Sequence, residues 1–70
     1  MRCQVWGHGG TVRAIVRDHH GTVVGSHDGW SNSTFASISL SRMYPGLDQQ
    51  WITDDTIISE LNELFELEMV

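Results

Sequence analysis

The stretch Thr11-Val12-Arg13-Ala14-Ile15-Val16-Arg17-Asp18-His19-His20-Gly21-Thr22-Val23-Val24-Gly25-Ser26 decides the fold. Val12, Ala14 and Val16 alternate with Arg13, Ile15 and Arg17, which is the period-two pattern of a strand with an apolar face. Ile15 points away from that face. Asp18-His19-His20-Gly21 follows as a tight connection, with glycine where a positive φ is needed, and Thr22 to Ser26 resumes a β-prone run. Residues 11–26 therefore read as a hairpin.

Upstream, Arg2 to Trp6 reads as a further strand, joined to Thr11–Arg17 by the turn Gly7-His8-Gly9-Gly10 to give a three-stranded meander. Downstream, Ser31, Asn32 and Ser33 are good helix caps, although Ala36, Ile38 and Leu40 alternate with Ser37, Ser39 and Ser41 as a strand would. The caps and the stop at Pro45-Gly46 favour a helix over residues 33–42. Gln49 to Thr53 reads as a fourth strand. Thr53-Asp54-Asp55 then opens a helix running from about Asp54 to Glu68, on which Ile57, Ile58, Leu61, Leu64, Phe65 and Met69 form one apolar stripe. The expectation is one small α+β domain over residues 1–70, an antiparallel β-meander with both helices packed on one sheet face, in the order βββαβα.

Charge is unevenly divided. Residues 1–42 carry all four arginines and two aspartates, residues 43–70 carry seven acids and no base, and the formal net charge is −5. An acidic chain without lysine lacks the basic patch that follows phosphates, so direct nucleic-acid binding is disfavoured and a basic protein partner favoured. The single Cys3 forms no intramolecular disulfide, which points to a reducing compartment. No basic N-terminal region precedes a long apolar run, and the longest aliphatic stretches are pairs such as Val23-Val24. A cytoplasmic protein without signal peptide or membrane anchor is expected.

Catalytic signals are weak. His8, His27 and Asp28 form the one set of potential metal ligands that the meander could bring together, since Asp18-His19-His20 lies at the other end of the sheet. The spacing is loose, and turn chemistry accounts for these residues better. Gly7-His8-Gly9-Gly10 has no accompanying Gly-x-Ser-x-Gly elbow, and Cys3 has no histidine base identifiable from sequence. The reading is of a non-enzymatic protein with no cofactor.

The acids from Asp54 onward carry the strongest functional signal. Asp54 and Asp55 suit the first turn of a helix, but Glu63, Glu66 and Glu68 lie near its C-terminal end and meet the negative end of its dipole, each at about 0.3–1 kcal/mol when exposed. Asp55, Glu60, Glu63 and Glu66 fall opposite the apolar stripe, and the three glutamates are spaced about 4.5 Å apart along the axis. That is of the same order as the roughly 3.4 Å charge spacing along one DNA strand. Among Trp6, Trp30 and Trp51, Trp6 is expected to share the face of Gln4 and to anchor a binding surface.

A glycine-turn hairpin running through Ser26-His27-Asp28-Gly29-Trp30-Ser31 into a helix resembles small ββα repeat domains of unknown function over residues 11–45. The lysine-free, acidic and motif-poor composition is similar to that of accessory proteins of phages and mobile elements. The functional expectation is an inhibitor that blocks a basic, nucleic-acid-binding protein by mimicking nucleic acid through Asp55, Glu60, Glu63 and Glu66, with Trp6 beside them. The alternative is a homodimer or other self-associating structural domain whose acids serve solubility.

Overall fold

The computed structural model describes residues 1–68. Its elements are β1 (Arg2–His8), β2 (Thr11–Arg17), β3 (Val23–Trp30), α1 (Ser33–Met43), β4 (Asp48–Trp51) and α2 (Asp55–Glu68), in the expected βββαβα order. Met69, placed by sequence on the helical stripe, lies outside the described residues.

Local chemistry explains the boundaries. Gly9 and Gly10 close the first hairpin with φ of 58° and 84°, the doubly positive conformation of a two-residue turn that matches strand twist. In the second hairpin the Asp18 carboxylate accepts from the N–H groups of His20 and Thr22 at 2.9 and 3.0 Å. β3 continues to Trp30, well past Ser26, because Val12 still pairs with Trp30. Helix wins over the serine alternation in α1. The Asn32 side chain caps it through the Phe35 N–H at 2.9 Å, and only Ala36 and Leu40 are buried, a four-residue helical spacing.

The sheet order is β3-β2-β1-β4. β1, β2 and β3 form the antiparallel meander, whereas β4 joins β1 in parallel, Arg2 opposite Asp48 and Val5 opposite Trp51. The sheet is therefore mixed. α1 serves as the crossover that carries the chain from one sheet edge to the other, as a parallel pair requires.

The two helices do not share a face, which corrects the expectation from sequence. Cys3, Val5, Val12, Ala14 and Val16 pack with Ala36 and Leu40 of α1, and Trp6, Ile15 and Ile52 pack with Leu61 and Phe65 of α2. Alternate residues of the central strands thus enter separate cores on opposite sides. The physical reason is the second face of β1 and β2. Trp6 and Ile15 are too apolar to leave in water, and α2 covers them.

Trp6 is 0% exposed, so it completes a core and presents nothing to a partner, contrary to the sequence expectation. Trp51 is the exposed tryptophan, at 48%. A domain of this size is stabilised by about 0.05–0.15 kcal/mol per residue. Trp6→Ala is expected to cost about 3–5 kcal/mol, removing most of the urea-unfolding free energy, whereas Trp51→Ala in dilute solution should shift it by no more than about 0.5 kcal/mol. Comparable losses in the two variants would contradict the assignment of Trp6 to the α2 core.

Candidate functional site

The acidic helix α2 begins on a built cap. Thr56 and Ile57 N–H groups donate to the Asp54 carboxylate at 2.9 and 3.3 Å, and Asp55 occupies the first turn, where the helix dipole favours it. No basic residue relieves the last turn.

Tertiary contacts fix the helix to the sheet. Trp6 Nε1 donates to Asn62 Oδ1 at 2.9 Å, and Arg13 Nη1 donates to the same oxygen at 3.2 Å. The Trp6 and Phe65 rings meet edge to face, with centroids 6.2 Å apart. The Arg13 guanidinium lies over the Phe65 ring at 4.3 Å, an attraction worth about 0.5–2 kcal/mol depending on desolvation. Trp6 and Arg13 are register partners on adjacent strands, so one sheet position grips two successive turns of α2. Arg13 Nε is buried and has no hydrogen-bond partner among the described residues.

Asp55, Glu60, Glu63 and Glu66 are all exposed on α2. They do not form a straight row. Steps of three residues fall about 60° short of a full turn, so the series winds around the axis and brings Glu66 back toward the sheet. There Glu66 Oε1 meets Arg13 Nη1 at 3.3 Å, the side chains being 68% and 12% exposed respectively. Glu60 and Glu63 make no ion pair among the described residues.

The proposed metal ligands do not converge. His8 lies on the Trp6 side of β1, while His27 lies on the Ala14 side of β3, its Nε2 hydrogen-bonded with the Tyr44 hydroxyl at 2.7 Å. No group of three potential ligands exists among the described residues. Gly25 leaves the room this contact needs, because a Cβ there would collide with the Tyr44 hydroxyl. Cys3 is buried, and burial pushes its thiol up to about 12, so the thiolate is not available at neutral pH.

Two clefts flank β4. One, of about 560 Å³, lies between α1 and β4 and is lined by Val5, Ser33, Ser37, Ile38, Gln49 and Trp51. The Gln49 amide spans it, donating to the Ser37 carbonyl at 3.1 Å and the Ser41 hydroxyl at 3.0 Å. The other, of about 310 Å³, opens on the α2 side and holds Arg2, Gln4, Arg17, Asp48 and Gln50. Sequence reading missed both. The parity of β4 against β1 was the available signal, since Val5 opposite Trp51 puts that ring on the α1 face.

No helix among the described residues is long and apolar enough to cross a membrane. No protein family, curated protein or solved structure matches the chain.

Burial holds the His27 imidazole below its ordinary pKa, and the Tyr44 hydroxyl can donate to the neutral ring. A folded pKa below the unfolded one means that the unfolded chain binds the proton more readily. This contribution to stability is therefore present above about pH 6.5 and is lost as pH falls through the lower folded value. Urea unfolding between neutral and mildly acidic pH should show stability declining with acidity, more steeply in the native chain than in His27→Gln. Equal slopes would remove His27 from the pH response.

Proposed function

We propose that this domain is a non-enzymatic protein-binding module that inhibits a basic, nucleic-acid-binding protein, as phage and mobile-element accessory proteins do, through the acidic face of α2. The observation that supports the reading is the exposure of Asp55, Glu60, Glu63 and Glu66 on a helix whose Asn62 and Phe65 are held against the sheet by Trp6 and Arg13. Charges held in place on a scaffold lose less entropy on binding than charges on a loose tail. A basic groove meeting such a helix would exchange its phosphate contacts for carboxylates, with on-rate and specificity set by charge complementarity. The chain would work in a reducing compartment such as the cytoplasm, where the single buried thiol persists.

The acids are poorly explained by stability alone. Glu66 and Glu68 sit in the last helical turn without a basic neighbour on the helix. The Arg13–Glu66 pair is largely exposed on the carboxylate side, and such pairs contribute about 0–1 kcal/mol.

Tagged protein would be incubated with lysate of its native host, and captured proteins identified by mass spectrometry at low and high salt. The expected result is one basic nucleic-acid-binding protein, released by salt or competing DNA. The combined substitution Glu60→Gln, Glu63→Gln and Glu66→Gln should weaken its binding about tenfold or more while leaving thermal stability within about 1 kcal/mol of the parent. Capture that is indifferent to both the triple substitution and salt would reject the electrostatic mechanism. Recovery of the bait alone would reject the inhibitor.

A further inference from the structure

The sheet ends in two unlike edges. At one, the pairing of β3 with β2 slips between Val12 and Ala14 and again between Val16 and Arg17, and Gly25 and Gly29 interrupt the strand. Irregularity of this kind guards an edge against further pairing. At the other, β4 pairs with β1 without a slip.

The hydrogen bonds of β4 show which groups are spare. Asp48 N–H donates to the Met1 carbonyl at 3.1 Å, and Ile52 N–H donates to the Val5 carbonyl at 2.8 Å. Inward-bonding residues alternate along a parallel ladder. Asp48, Gln50 and Ile52 therefore bond toward β1, while Gln49 and Trp51 turn their N–H and C=O groups outward. Among the described residues no strand lies beside these outward groups, because β4 is the last strand of the sheet.

We propose that a second copy of this chain occupies this edge, β4 against β4 antiparallel about a two-fold axis through Gln50, so that two sheets become one. The inference does not rest on the acidic-face reading. With Gln50 opposite its counterpart, Gln49 lies opposite the second copy's Trp51, and the outward-turned residues exchange both backbone bonds. This is the register that engages both outward residues of both copies, and it is self-complementary, as a closed dimer requires.

Side chains on the two faces agree with this occupant. Opposed residues share a sheet face, so both Trp51 rings lie on the α1 side as diagonal neighbours, roughly 7–8 Å apart at the backbone and within reach of aromatic contact. Each cleft beside α1 then faces the other, and Trp51 and Ile38, 48% and 46% exposed in the single chain, gain an apolar partner. On the α2 side, Arg2, Arg17 and Asp48 line the cleft beside the start of β4, two cations against one carboxylate, and neither arginine has an ion pair among the described residues. Antiparallel pairing brings to that point the second copy's Asp54 and Asp55, which follow the end of its own β4. The acids that follow one β4 thus meet the excess positive charge that Arg2 and Arg17 leave over Asp48 beside the start of the other, twice by symmetry.

Sedimentation and light scattering across low to high micromolar concentration test the proposal. The mass should rise from 7.9 kDa to its double and no further. Trp51→Glu should remain monomeric throughout, with far-UV circular dichroism unchanged, and Ile38→Glu on the facing wall gives the same readout should the first variant lose its fold. Arg2→Glu and Asp55→Arg should each weaken the dimer about tenfold, and their combination should restore it. A parent chain that stays monomeric at high concentration overturns the proposal, as does growth beyond the dimer. A dimer unaffected by substitutions at both Trp51 and Ile38 places the interface elsewhere and overturns it equally.

Discussion

The rest of the structure depends on the burial of both faces of the central strands. β2 alone places Val12, Ala14 and Val16 against α1 and Ile15 against α2. A strand buried on both sides cannot belong to a two-layer fold in which the helices share a face, because about 25 cal/mol per Å² of apolar surface would then be left in water on the other side. The chain solves this by passing α1 across one face on its way to the far edge and returning α2 across the other. Parallel pairing of β4 follows directly, since a crossover helix delivers the next strand in the same direction as β1.

Much of this was legible in the sequence. The hairpin over residues 11–26, the order of elements and the capped acidic helix follow from period-two alternation, turn residues and the cap-forming runs Ser31-Asn32-Ser33 and Thr53-Asp54-Asp55, within which Asn32 and Asp54 make the capping bonds. The layer arrangement was legible in part and misread. Ile15 points away from the valine face and Trp6 points away from Cys3 and Val5, but the strand patterns taken singly do not join these two residues into a core. Their significance comes from register, since Trp6 lies opposite Arg13 and Gln4 opposite Ile15, which joins them into one surface. Pairing of this kind is a tertiary fact that single-strand patterns do not contain.

The same parity separates the tryptophans and the histidines. Trp6 lies in the middle of the sheet on β1 and Trp51 ends the short edge strand β4, and α2 covers the first while the second stays half exposed beside the cleft against α1. His8 and His27 are close to the same end of the meander in sequence terms, but they fall on opposite faces, and Tyr44 takes up His27. Exposure in a thin domain is decided by where the covering helices end, which depends on crossover geometry more than on the identity of the residue covered.

The placement of Arg13 shows how this domain reconciles a small core with a charged helix. A helix with carboxylates in its last turn gains little from local propensity, and helices of this length are marginal in isolation. Its stability must come from the sheet. Arg13 supplies a ring contact to Phe65, a hydrogen bond to Asn62 and a counter-charge to Glu66 from one strand position, while Trp6 beside it supplies apolar area and shares Asn62. Because the guanidinium is consumed on the sheet side of the helix, it tempers only the carboxylate that winds back toward it. Glu60, on the other flank of the helix, and Glu63, opposite the buried Leu61 and Phe65, stay exposed and make no ion pair among the described residues. One partly buried arginine therefore anchors the acidic helix without cancelling the surface that makes it distinctive.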